Sequence, residues 1–307
     1  MMTMSYDAEL VVVGAGPAGV AAAVMAASLK ISTIVVEVER VGEKLHRIGA
    51  VENVPGSWTT GSQLAGAMAA DMKRLQAAGA SSLVQAQVTS IADGGDRAEV
   101  VLSSGVKLIS RAVVVATGVT ELLPADVSWM GAPDDFAPAP LWRSGPDDVK
   151  GHTYVLGADR PLGTWLRAHA AAKQVLHVLV PPADDYKTAE VSSDGRVRLV
   201  PVHRVSVAPS PYGAGWTVQV EGRDGTETTY AVDTVLNNLG SKPAAFDGLV
   251  QDEAGYCPPP LQPPRILVVG DLRSPRYQRI TTAQGSGAEA ALSVYYDAML
   301  PNPAGIR

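Results

Sequence analysis

The sequence predicts an α/β protein made of two Rossmann-like dinucleotide-binding domains, the second inserted in the first, each with a parallel sheet and a small β-meander. Three observations carry this prediction. Residues 10–37, LVVVGAGPAGVAAAVMAASLKISTIVVE, read as strand, glycine turn, helix and strand. Residues 153–180 repeat that order around the turn GADRPLG. Apolar stretches at 112–116 and 266–269 run into Thr117-Gly118 and Gly270-Asp271, as strands returning to the first sheet would.

The opening stretch organises the rest. Gly14, Gly16 and Gly19 fit G-x-G-x-x-G, and Glu37 closes the next strand, in the strand–turn–helix context that a dinucleotide fingerprint requires. Gly14 permits the tight turn, Gly16 lets the backbone approach a pyrophosphate, and Gly19 lets helix and strand pack closely. Pro17 starts the helix whose N-terminal amides face the anion, and Glu37 accepts ribose hydroxyls.

Composition narrows the function classes. With 46% hydrophobic and 18% charged residues, the chain is a folded protein, and 307 residues suffice for two ordinary domains. A formal charge of -6 without a Lys/Arg cluster argues against nucleic acid or an anionic membrane surface as partner. The start, MMTMSYDAEL, lacks the basic region of a signal peptide, and no apolar run is long enough to cross a bilayer, so a cytoplasmic location is expected. No metal site is expected. Cys257 is the one cysteine, so no disulfide can form within these residues; in GYCPPPLQPP it reads as a surface thiol.

In chain order, residues 38–60 read as a long ordered loop, and residues 61–78 as an amphipathic helix with Leu64, Met68, Met72 and Leu75 on one face. A meander follows with strands at 83–91, 99–102 and 106–109. Residues 112–116 form a separate apolar strand. After a Pro/Gly/Asp-rich crossover, the second βαβ unit comprises a strand at 153–156, a helix reaching Ala172 and a strand at 175–180. Alternating strands fill 188–230, residues 234–239 make another, and a second crossover leads to the strand at 266–269 and a last helix at 281–300. The domain limits are therefore 1–119 with 244–307, and 120–243.

GAGPAG at 14–19, VENVPG at 51–56, VVVATG at 113–118 and GD at 270–271 followed by YQRITTAQGSGAEAA occur in the order and approximate spacing of one family. In these motifs the chain resembles the low-molecular-weight thioredoxin reductases, FAD proteins of the pyridine nucleotide-disulfide oxidoreductase superfamily. The resemblance covers nearly the whole chain. It implies FAD as cofactor, with Gly14, Gly16, Pro17, Ala18 and Glu37 around the ADP half and Asp271 at the ribityl and pyrophosphate region. It further implies roles for Lys44, Leu45, Asn53, Val88, Ala116, Thr117, Gly118, Gly270, Gln278, Arg279 and Ile280. The family loop GGQL stands here as Gly42, Glu43, Lys44, Leu45, and the family's YRQ stands as Tyr277, Gln278, Arg279. The resemblance also implies a homodimer.

Two departures redirect the chemistry. The family's redox C-x-x-C is replaced by LWRSGPDDVKG, which excludes thioredoxin reduction through an intramolecular dithiol. In the second fingerprint Gly157 is kept, but Asp159 and Leu162 take the remaining positions, which sets a Cβ and a charge where a pyrophosphate should approach. Asp159-Arg160-Pro161 reads as a carboxylate N-cap with a first-turn proline. The family's HRR, whose arginines grip a 2'-phosphate, is replaced by Val180, Pro181, Pro182, so conventional NAD(P)H binding is not expected.

His46, Arg47 and Glu52 lie on the loop nearest the expected flavin, with Tyr277 on the opposite turn; His46 and Tyr277 are the candidate catalytic groups, His46 because imidazole carries protons near neutral pH. The leading expectation is an FAD-dependent oxidoreductase that exchanges electrons with a small molecule. An electron-transfer flavoprotein linked to ferredoxin, flavodoxin or a second flavin, and a non-catalytic FAD-binding scaffold, are the alternatives.

Overall fold

A computed structural model describes residues 6–299. These fall into two compact units. Unit 1 takes the chain up to His46, Val51–Thr120 and the chain from Pro243 onward; unit 2 takes Arg47–Ala50 and Glu121–Lys242.

Unit 1 opens with β1 (Ala8–Val13), α1 (Pro17–Ser28), β2 (Thr33–Glu37), α2 (Gly61–Ala77), β3 (Ser81–Gln85), β4 (Val88–Asp93), β5 (Ala98–Leu102) and β6 (Lys107–Val115). The sheet order is β3-β2-β1-β6-β5-β4. Val12 pairs with Val35 of β2 and Val114 of β6, both in parallel register, so β1 is central and covered on both faces. That position explains its unbroken apolar run, with Leu10, Val11 and Val12 fully buried. Thr60 and Gln63 form a reciprocal capping box that fixes where α2 begins.

The meander differs from the sequence expectation in two places. The strand read at 83–91 is two strands: β3 is the parallel edge beside β2, and β4 starts the antiparallel run. The strands read at 106–109 and 112–116 are one continuous β6, whose first half pairs antiparallel with β5 and whose second half pairs parallel with β1. Alternation gives way to a fully apolar run along this strand because its second half is covered on both faces.

After β7 (Val119–Glu121), unit 2 contains β8 (Met130–Gly131), β9 (Thr153–Leu156), α3 (Pro161–Ala168), β10 (Leu176–Val180), β11 (Val197–Pro209), β12 (Trp216–Gly222), β13 (Glu227–Val232) and β14 (Thr234–Asn237). Its sheet runs β13-β12-β11-β10-β9-β14, with β8 beside β11. β11 is parallel to β10 at its start and antiparallel to β12 further on, the same hybrid built by β6 in unit 1. α3 stops at Ala168, short of the expected Ala172. The Arg196 guanidinium, bonded to the carbonyls of His169 at 2.7 Å and Leu166 at 3.0 Å, satisfies the last turn there.

β15 (Ser241–Pro243) pairs with β7, after which β16 (Ile266–Val268) joins β6 in parallel and α4 (Ile280–Met299) closes unit 1. A Cβ on Gly287 would lie 1.9 Å from the Ala18 carbonyl, so glycine is what allows α4 to lie against α1.

Candidate functional site

The first glycine turn sits between β1 and α1, at the carboxyl end of the parallel strands. Gly14 has φ +101, and a Cβ there would stand 2.6 Å from the Ala116 carbonyl, so both the backbone angle and the neighbour demand glycine. Gly19 is equally constrained, since a Cβ on it would lie 1.8 Å from the Gly14 carbonyl. At Gly16 a Cβ would meet nothing within 4 Å: it would project into open space at the N-terminus of α1. That terminus has Gly16 as its N-cap with no side-chain cap, Pro17 in its first turn and no acidic residue there. Its leading amides are thus left to an anion from outside the helix.

Glu37 stands where the fingerprint requires it. Its carboxylate accepts the Ala15 amide at 2.6 Å and the Glu39 amide at 3.0 Å, which ties the end of β2 to the glycine turn. Each carboxylate oxygen keeps a further lone pair for a hydroxyl donor. The Gly42 amide bonds the Ala15 carbonyl at 2.9 Å, so the loop after β2 folds back over the same turn.

That loop makes a short 3-10 helix, Glu43–Arg47, in which the Leu45 side chain is buried and Lys44 is exposed. Lys44 Nζ donates to the Val119 carbonyl, directly after Thr117 and Gly118. Thr117 Oγ1 donates to the Ala244 carbonyl at 2.8 Å and Gly118 has φ +67, so this end of β6 is held in a sharp bend. Val88 and Ala116 are buried, and Val88 belongs to the unit 1 core.

Gly270 and Asp271 begin a 3-10 turn after β16, with the Gly270 amide bonded to Ser286 Oγ at 2.9 Å. Burial pushes the Asp271 carboxyl up from its ordinary range, while the charges of Lys44, Arg273 and Arg279 pull it back. Gln278 donates to the Asp271 carbonyl at 3.2 Å and the Ser274 carbonyl at 3.0 Å, bracing the turn by its side chain. Arg279 donates to the Gln278 carbonyl at 2.7 Å, and Ile280 opens α4. Tyr277 is 79% exposed with φ +62, a left-handed conformation that an aromatic residue rarely adopts. His46 is half-buried, while Glu52 and Asn53 are exposed.

The second glycine turn has the opposite character. Gly157 keeps φ +83, with a Cβ position 2.7 Å from the Asn238 carbonyl, so the tight turn survives. The space beyond it holds an ion triad: Lys187 Nζ lies 3.1 Å from Asp159 Oδ1 and 2.8 Å from Asp184 Oδ1. Asp184 Oδ2 also accepts the Ala158 amide at 3.0 Å, which places a carboxylate of this chain on a backbone donor of the turn. Burial works against the Lys187 charge, yet attraction from Asp159 and Asp184 outweighs it and holds the ammonium above its ordinary range. The expected capping role of Asp159 is corrected here: α3 has Arg160 at its N-cap with no side-chain cap, and Asp159 turns to Lys187 instead. Pro181 and Pro182 lead into the 3-10 helix Pro182–Glu190 that carries Asp184 and Lys187. The Asp184 and Lys187 partnership was not visible in the sequence, apart from a charged DDYK run after two prolines.

Two further placements correct the sequence reading. Cys257 is fully buried in the unit 1 core, with its thiol pushed up to about 11 by burial and the nearby Asp252 charge, and is not a surface thiol. Arg47, read as part of the loop near the first turn, belongs to unit 2, where it pairs with Glu121 at 3.4 Å and stacks on Trp142 with 4.3 Å to the ring centre. Trp142 and Arg143, in the segment LWRSGPDDVKG, form the rest of that cluster: Trp142 Nε1 donates to Glu121 and Arg143 covers the ring at 4.7 Å.

No protein-family model matches the chain. Among curated proteins it is 26% identical over 310 residues to the bifunctional thioredoxin reductase/thioredoxin of Mycobacterium leprae (strain TN), covering 92% of this chain and 64% of the relative. It is 48% identical over 48 residues to the 34.2 kDa protein in the rubredoxin operon of Clostridium pasteurianum, 16% of each. The chain thus spans less than two thirds of the length of either relative. Among solved structures, the thioredoxin reductase of Lactococcus lactis superposes with a TM-score of 0.78 at 22% identity, over 96% of this chain and 99% of that one. That of T. acidophilum gives 0.74 at 20% identity, over 96% and 100%. The chain has a thioredoxin reductase-like fold with two Rossmann-type units.

Proposed function

We propose that the chain is an FAD-dependent oxidoreductase, thioredoxin reductase-like in architecture, whose flavin is not reduced by NAD(P)H bound in unit 2 and whose electrons do not leave through a dithiol of this chain. The observation that carries this reading is the contrast between the glycine turns, one open at Gly16 and the other filled by Asp159, Lys187 and Asp184. The fold and the mycobacterial relative support the oxidoreductase class, and the single cysteine speaks against thioredoxin reduction by the usual dithiol.

In this reading the amides at the start of α1 face the pyrophosphate, Glu37 accepts the ribose hydroxyls, and Asp271 accepts from the ribityl chain. FAD, when bound, supplies reversible two-electron chemistry. Thr117, Gly118 and the turn at Gln278 and Arg279 fix the backbone around it, while His46 and Tyr277 are the groups available to move a proton. The partner is a small-molecule substrate or an electron-transfer protein, and the working form is a homodimer. No helix among the described residues is long and apolar enough to cross a membrane.

The test is to release the cofactor from purified protein by heat, identify it by chromatography, and assay thioredoxin-dependent NADPH consumption on the intact protein. The reading expects FAD at about one per chain and no NADPH consumption. Absence of flavin after reconstitution with FAD, or brisk NADPH oxidation, contradicts it.

A further inference from the structure

Unit 2 carries a cavity away from its glycine turn. The turn follows the carboxyl end of β9, whereas this cavity, of about 420 Å³, opens beside Asp233 and Thr234 at the amino end of β14. Thr234 pairs in parallel with Thr153, the first residue of β9, so the two places lie at opposite ends of the same strands. Backbone pairing holds the walls. Trp216 opens β12 opposite Pro209 of β11 and Val232 of β13, so ladders fix it on both sides. In the segment 133–139 the Phe136 amide donates to the Pro133 carbonyl at 2.9 Å, and the Ala139 carbonyl accepts the Asn237 amide at 2.8 Å. Phe136 and Trp216 meet edge to face with ring centres 4.6 Å apart. Phe136 is buried and Trp216 half-buried, and Pro138 and Pro209 complete an apolar wall.

The charge on this cavity has one sign. Asp135 and Asp233 line it, and no Lys, Arg or His among the described residues does. Asp233 Oδ2 accepts the His152 amide at 2.7 Å, which orients the carboxylate and leaves Oδ1 for another donor. Neither carboxylate has an ion pair among the described residues, and Asp134, next in sequence to Asp135, is acidic as well. An aromatic wall beside exposed carboxylates suits an organic ammonium: the rings attract the cation and its alkyl groups, and a carboxylate supplies the counter-charge. An anion would meet repulsion there, and a bare metal ion would leave the aromatic wall unused. The geometry points to a binding site for a small organic ammonium ion in unit 2, formed by Phe136, Trp216, Asp135 and Asp233. It depends neither on FAD in unit 1 nor on closure of the second glycine turn.

The experiment is isothermal titration of the intact purified protein at low salt with choline and with its uncharged isostere, 3,3-dimethylbutan-1-ol. Choline is expected to bind about tenfold more tightly than the alcohol, and to weaken as salt is added because both carboxylates are exposed. Trp216→Leu should weaken choline about tenfold, the scale of a desolvated cation–aromatic contact, and Asp135→Asn about threefold, the scale of an exposed ion pair. Equal affinity for choline and the alcohol overturns the inference, as does the absence of saturable choline binding. An affinity equal to wild type in either variant overturns it as well, since the cation would then bind elsewhere. Asp135 is exposed, so its variant should keep the fold, and it alone decides if circular dichroism shows that Trp216→Leu does not fold.

Discussion

The two glycine turns of this chain share a backbone and differ in what faces them. Gly14 and Gly157 both hold positive φ and both press against the backbone of a neighbouring segment, so the strand–turn–helix geometry is the same demand met twice. At the third turn position the first unit has Gly16 facing open space, while the second has Asp159, bound with Asp184 to Lys187. The lesson is that the same Rossmann turn can face open space in one unit and the chain's own charges in the other.

The largest expected effect comes from copying the second turn into the first. Gly16→Asp places a carboxylate where the pyrophosphate is proposed to lie. Two like charges at about 4 Å repel by about 4 kcal/mol at an effective dielectric of 20, roughly a thousandfold in affinity. Because a Cβ at Gly16 meets nothing within 4 Å, the variant should fold normally and lose only its flavin, which circular dichroism and FAD titration would separate. Retention of FAD by the aspartate variant would break the comparison.

Next is the triad itself. Lys187→Met leaves Asp159 and Asp184 without their counter-charge at side-chain exposures of 25% and 11%. A cost of about 2 kcal/mol is expected, between that of an exposed pair and a fully buried one, read as an earlier urea midpoint for unit 2. Asp184→Asn should still bind no NADPH, since Asp159 remains; a measurable NADPH affinity in that variant would show that Asp184 alone had closed the site.

Asp271 gives a smaller effect with a defined sign. Burial raises its carboxyl in the folded chain, so its contribution to stability is present at pH below the unfolded value and is lost as pH rises through the raised one. At neutral pH, Asp271→Asn should therefore raise the melting temperature of the FAD-free protein while weakening FAD retention. A fall in both would mean that the carboxylate is structural. The smallest expected effect concerns Cys257. With its thiol pushed up to about 11 and its side chain buried, it should resist a thiol reagent at pH 8 in the native protein and react fully once unfolded.

Much of this was legible in the sequence because the first unit is encoded by local patterns. Glycine spacing, the apolar run of β1 and the acid ending β2 all lie within one short stretch, and the structure joins them through the 2.6 Å bond from Ala15 to Glu37. The charge at the second turn was legible for the same reason, as Asp159 lies inside the motif. What fills that turn was not. Lys187 lies far along the chain and meets Asp159 only because β10 and the 3-10 helix after it return to the end of β9. Cys257 misled because its proline-rich surroundings suggest exposure, whereas its own amide bonds the Leu272 carbonyl at 2.9 Å and draws the side chain into the core. Arg47 misled because loop position says nothing about which unit claims a side chain.

The central claim is most directly tested by an anaerobic absorbance titration of the FAD-loaded protein, first with NADPH and NADH and then with dithionite. Neither nicotinamide is expected to bleach the visible flavin band, and dithionite is expected to bleach it fully, the behaviour of a competent flavin whose donor does not sit at the second glycine turn. Rapid bleaching by NADPH or NADH would contradict it, because the Asp159–Lys187–Asp184 triad would then not close the nucleotide site.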